Sequence, residues 1–147
     1  MVRLTAVQMT SVPDVEQNLA FIERQLTTLE ICQQQIVVLP ECCLFFGGQD
    51  KAQLALAKQN AVHNTLTDKL GQLAKRYRIT LVAGSIPIFD QASGKFTNTC
   101  CVFSPSGELL ASYSKIHLFD VEVQDKEKHY LESRYTQAGR QISTLTT

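Results

Sequence analysis

Two ionisable residues stand directly behind apolar segments, where a fold can aim them. Glu41 follows Ile36-Val37-Val38-Leu39 and Pro40, and Lys115 follows the segment from Leu109 to Tyr113. Pro40 fixes the approach of Glu41 and removes a backbone donor. A carboxylate there is expected to be partly desolvated, which raises its pKa and suits a general base. A lysine held beside a carboxylate stays protonated and stabilises a developing oxyanion. The plainer reading is that a Glu or Lys at a strand end is a solvated loop residue or an edge gatekeeper. The two readings part on one distance, because charges more than ~10 Å apart are screened at ordinary ionic strength.

The cysteines are Cys32, Cys42, Cys43, Cys100 and Cys101. An odd count, two adjacent pairs and no C-x-x-C spacing do not make a secreted disulfide framework, so reduced thiols in the cytoplasm are expected. His63, His117 and His129 stand at no ligand spacing with them, so no zinc site is expected. Cys42 and Cys43 adjoin Glu41. On an extended strand end, neighbouring residues point to opposite sides, so Cys42 is expected to face away from Glu41. Cys100 and Cys101 fall mid-strand and read as buried, inert thiols.

The elements that must position these groups follow from periodicity. Residues 3–9 alternate as a half-buried strand, with Leu4 and Ala6 on one side and Val7 and Met9 on the other. Asp14 reads as the N-cap of a helix, with Gln17 in capping-box register. Val15, Leu19, Ile22, Leu26 and Leu29 then form one apolar stripe. Residues 36–39 read as a parallel strand buried on both faces. A helical region over about 51–77 is expected to break near His63-Asn64, and Ile79 to Ala83 is another apolar strand. Ser104-Pro105-Ser106-Gly107 is a turn between antiparallel strands at 96–103 and 109–113. After Asp120 the chain reads as polar and irregular, with Lys126-Glu127-Lys128 solvated. The pattern is α/β, helices on a mixed sheet, and such sheets collect ligands at the carboxyl ends of their strands.

Several segments resemble the nitrilase superfamily of carbon–nitrogen hydrolases. They are Leu4-Thr5-Ala6-Val7-Gln8-Met9, Val37-Val38-Leu39-Pro40-Glu41, Leu81-Val82-Ala83-Gly84-Ser85, Thr97-Asn98-Thr99, Ser104-Pro105-Ser106-Gly107 and Tyr113-Ser114-Lys115-Ile116-His117-Leu118-Phe119-Asp120. The run through Phe119-Asp120-Val121-Glu122 to Glu132-Ser133 most resembles the Nit-type amidases, including deaminated glutathione amidases. The resemblance implies an αββα four-layer sandwich and a Glu-Lys-Cys mechanism without metal or organic cofactor. Glu41 matches the base, Lys115 the oxyanion-stabilising lysine, and Glu132 a second glutamate supporting the lysine. The nucleophilic cysteine of the family follows the lysine, and no cysteine follows Lys115 here. Residues 1–147 are therefore expected to be the N-terminal portion of one hydrolase domain, inactive alone. Its substrate class would be a small carboxylic acid bearing a terminal amide. The alternative is a non-catalytic binding or subunit-interaction module that keeps the Glu/Lys cluster.

Composition narrows the partners. The 147 residues carry 14 Lys plus Arg against 14 Asp plus Glu, with 44% hydrophobic residues. That balance argues against disorder and gives no electrostatic reason to expect nucleic-acid or anionic-membrane binding. No apolar run approaches the ~20 residues needed to span a bilayer. An incomplete sandwich would leave one sheet face uncovered, so a homo-oligomer or self-association is expected.

Overall fold

The computed structural model describes residues 2–30, 32–49, 51–122 and 129–146. The elements run β1 (Val2–Ala6), α1 (Val15–Leu26), β2 (Gln34–Val38), α2 (Ala52–His63), α3 (Thr65–Tyr77), β3 (Thr80–Val82), β4 (Ile86–Asp90), β5 (Lys95–Phe103), β6 (Leu109–Ser114), β7 (Asp120–Glu122) and β8 (His129–Leu131), then a 3-10 turn at Glu132–Arg134. Strands β1, β2 and β3 are parallel neighbours. Strand β5 is antiparallel to β3, β4 and β6, which makes one mixed sheet. The sequence-based outline omits β4, a strand that carries Pro87 and leads straight into the hairpin with β5. It also omits β7 and β8, three-residue strands too short to show a period. Beyond Asp120 the chain is thus partly regular; Lys126-Glu127-Lys128 lies outside the described residues.

The helix signals hold in detail. Asp14 Oδ1 accepts the Gln17 amide at 3.0 Å and caps α1. Ile22 and Leu26 of the stripe are fully buried, with Val15, Leu19 and Leu29 packed partly against them. Asn64 takes φ +51, which breaks 51–77 into two helices at the expected place. The buried Asn60 Oδ1 accepts the Leu66 amide at 2.8 Å and so serves an N-terminal donor of α3 from the preceding helix.

The core lies between the sheet and these helices. Val37, Leu81, Cys101 and Phe103 point into it from the strands; Leu66, Leu70 and Ala74 meet them from α3. Burying each large side chain contributes about 1.5–3 kcal/mol. The opposite face differs from the expectation of a doubly buried β2. Register places Leu4, Ile36 and Val82 together on it, with Val102 beside them. Among the described residues no helix covers this side: Leu4 is 71% exposed and Ile36, Val38, Val82 and Val102 are half-buried.

Candidate active site

Three strand ends converge on one cavity of about 810 Å³. Beyond β2, the Leu39 amide still donates to Val82 (2.9 Å), holding Pro40 and Glu41 over the end of β3. Gly84 makes that approach possible. It sits at φ +39, and a Cβ there would lie 1.7 Å from the Pro40 carbonyl oxygen. Lys115 follows β6, with its amide on the Asn98 carbonyl (2.9 Å) and its carbonyl taking the Gly139 amide (2.8 Å).

The convergence yields a tight charge cluster. Lys115 Nζ lies 3.0 Å from Glu41 Oε1 and 3.0 Å from Glu132 Oε2. This removes the reading in which the strand-end charges are merely solvated. Partial burial by itself would lower the Lys115 ammonium. The hydrogen bonds and charges of Glu132 and Glu41 outweigh it and hold the group above the ordinary lysine range. Glu132 is anchored by the backbone: its Oε2 also accepts the Phe119 amide (2.7 Å), while its own amide donates to the Phe119 carbonyl (3.3 Å). Asp120 Oδ1 accepts the Ser133 amide (2.9 Å) at the start of the 3-10 turn, and this bond holds the Asp120 carboxyl below its usual range.

Two expectations about Glu41 and its neighbour are corrected. Glu41 is more exposed than expected, lining the cavity with 57% of its side chain accessible. Cys42 does not face away from it; both line the cavity. Residues 41–44 form a turn rather than a strand, with Cys42 at φ +54, so extended alternation does not apply. Burial, then the Glu41 charge, push the Cys42 thiol up, which opposes thiolate formation. Cys43 is fully buried against Ala83 and Ser85, and its thiol is pushed up to about 12 by burial. Cys101 is buried under the helices and is raised to about 11 by the same cause; Cys100 lies on the other face of β5. Cys42, Cys43, Cys100 and Cys101 therefore lack the environment of an activated nucleophile.

The sequence analysis names Asn98 within a motif segment but gives it no role. It is buried in mid-β5 and donates from Nδ2 to Glu41 Oε1 at 2.6 Å. The available signals were its place in the Thr97-Asn98-Thr99 segment and an amide in a strand that beyond Lys95 is otherwise β-branched, aromatic and Cys, a position where Asn is disfavoured. The rest of the cavity wall is largely apolar, including Met9, Phe46, Phe96, Leu131 and Tyr135. A second depression of similar volume lies on the helix side beside α3 and holds none of the three clustered residues.

With this geometry in view, comparison with known proteins is decisive at the family level. The carbon-nitrogen hydrolase family model matches residues 3–147. The chain belongs to the carbon-nitrogen hydrolase family. It is 41% identical over 113 residues to the omega-amidase NIT2 of Homo sapiens, covering 77% of this chain and 39% of that protein. It is 37% identical over 138 residues to the deaminated glutathione amidase of a Synechocystis strain, covering 92% and 48%. The Caenorhabditis elegans NitFhit protein superposes with a TM-score of 0.76 at 28% identity, over 97% of this chain and 34% of that one. An amidase from Nesterenkonia sp. AN1 gives a TM-score of 0.80 at 22% identity, over 100% and 53%, a likeness of fold. The chain spans about half the length, or less, of the curated relatives it matches.

No helix among the described residues is long and apolar enough to cross a membrane.

Proposed function

We propose that this carbon-nitrogen hydrolase chain supplies the base, the cation and the supporting carboxylate of an amidase site for a small carboxylic acid bearing a terminal amide. The single observation that carries the reading is Lys115 Nζ lying 3.0 Å from both Glu41 and Glu132 beside an open cavity. In this mechanism Glu41 takes the proton of a cysteine thiol, and the thiolate attacks the amide carbon. The carbonyl oxygen gains the displaced electron pair and is stabilised by the Lys115 ammonium. The tetrahedral adduct collapses to a thioester as the C–N bond breaks, and Glu41 returns the proton to the departing ammonia. Water, deprotonated by Glu41, then adds to the thioester and releases the acid and the thiol. Glu132 keeps Lys115 charged and in place throughout.

The thiol has no position in these 147 residues after Lys115, and the Cys42 and Cys43 environments oppose the role. The chain alone is therefore expected to bind small amides without turning them over. Ammonia release and NMR shift perturbation with glutaramate and butyramide test this together. The expected result is perturbation of Asn98 and Lys115 resonances, weakened in Glu41→Gln, with no ammonia. Turnover that survives replacement of all five cysteines by serine would show that no cysteine nucleophile is needed. Complete absence of perturbation would remove small-amide recognition by this cluster.

A further inference from the structure

Glu41 has a long, largely exposed side chain, and an unheld glutamate keeps most of its rotamer freedom. Here it is held at one atom. Oε1 receives Lys115 Nζ at 3.0 Å and Asn98 Nδ2 at 2.6 Å, whereas no described donor reaches Oε2. Asn98 must present its NH₂ rather than its carbonyl to a carboxylate, since two acceptors would repel. The residue is itself immobilised: it is 6% exposed, paired with Pro87 of β4, and takes the Lys115 amide on its carbonyl. One residue thus touches both members of the base–cation pair, Lys115 through its main chain and Glu41 through its side chain.

We propose that Asn98 is the positioning residue of the base. By sharing Oε1 with Lys115 it fixes the Glu41 carboxylate and leaves Oε2 as the oxygen that exchanges the proton. This rests on the reading of Glu41 as the base. Asn98 adds a donor without adding charge, so it orients Glu41 while the cluster keeps its balance of two carboxylates and one ammonium. A second lysine at this place would hold Glu41 as firmly, but would make the carboxylate a poorer proton acceptor.

The test needs no turnover. In the wild-type 147-residue chain, the Asn98 side-chain amide resonances are followed beside the Glu41 Cδ signal from pH 7 to 3. They are expected to move with one common midpoint, and the movement is expected to vanish in Glu41→Gln. In Asn98→Ala, Oε1 keeps only the Lys115 ammonium, and the NMR order of the Glu41 side chain is expected to fall as its rotamer freedom returns. In Asn98→Asp, which keeps the shape and replaces the donor by an acceptor, the two carboxyls are expected to titrate as a coupled pair with two midpoints. An Asn98 amide that stays flat through the Glu41 titration would overturn the proposal in the unmutated protein, whatever the variants do. So would unchanged Glu41 side-chain order in folded Asn98→Ala. Coupling that is present while neither wild type nor Glu41→Gln binds glutaramate would instead overturn the amidase-site reading and leave the positioning contact standing.

Discussion

Replacing Asn18 by alanine tests how the cavity wall is held to the helix layer. Asn18 lies on α1, is 2% exposed, and makes three bonds to main chain. Its Oδ1 accepts the Val12 amide at 3.0 Å, and its Nδ2 donates to the Val12 carbonyl at 2.7 Å and the Leu44 carbonyl at 2.8 Å. Truncation leaves the Val12 amide and Leu44 carbonyl without these partners, whereas the Val12 carbonyl keeps the Phe46 amide at 3.3 Å. The stranded Leu44 carbonyl is buried and the Val12 amide part-buried, and at about 1–3 kcal/mol for each such group the two together cost about 3.5 kcal/mol. The better helix propensity of alanine returns about 0.5 kcal/mol, for a net loss of about 3 kcal/mol. For a chain of this size that corresponds to a melting point lowered by about 6–12 °C. Urea unfolding measures the loss, with the slope expected to stay at its wild-type value. Hydrogen exchange supplies the local half of the test. The Phe46 amide is expected to lose protection first, because the segment of residues 44–46 is tied to α1 through Asn18. A loss below about 1 kcal/mol, with Phe46 protection intact, would refute the account of Asn18 as the tie.

Other outcomes follow from the same geometry. Gly84→Ala is expected to cost at least about 3 kcal/mol or prevent folding, since the new Cβ would fall 1.7 Å from the Pro40 carbonyl oxygen at a positive φ; expression and thermal melting decide. Lys115 has a folded pKa above its unfolded value. Its contribution to stability is complete below about pH 10.5 and is lost as pH rises through the folded pKa. Lys115→Met should therefore remove part of the wild-type stability at neutral pH and flatten the decline above pH 10, read by urea unfolding across that range. The uncovered sheet face around Leu4, Ile36 and Val102 is expected to drive self-association of the 147-residue chain. Light scattering behind size exclusion should give masses above 16.4 kDa that fall on Leu4→Lys, and a clean monomer would contradict this.

What could be read from the chain in advance was whatever rests on local chemistry. The Asp14 cap, the α1 stripe, the break at Asn64 and the hairpin around Ser104-Pro105-Ser106-Gly107 depend on residues within a few positions of one another. So did the placing of Glu41 and Lys115 at strand ends. The misses have the same root. Strand alternation turns Cys42 away from Glu41, but the turn after Pro40 puts it at positive φ beside Glu41. β4 was hidden because Pro87 interrupts the pattern, although its pairing with β5 accommodates it. Asn98 could not be assigned to Glu41 without the sheet, since the two are 57 positions apart. The exposure of Leu4 depends on what lies across the sheet, which no local pattern records.

The separation of the charged partners also bears on the order of events during folding. Glu41 and Lys115 are 74 positions apart and stand just beyond strands that are not neighbours; β3 and β5 lie between β2 and β6. Their contact therefore requires three ladders to be registered at once. A slip of one residue in any of them shifts a strand end by about 3.3 Å and turns its side chains to the opposite face. A pair 3.0 Å apart cannot survive that error. The cluster is thus a register gauge for the whole sheet. Its formation should coincide with the last cooperative step of folding, after the local β5–β6 hairpin has closed.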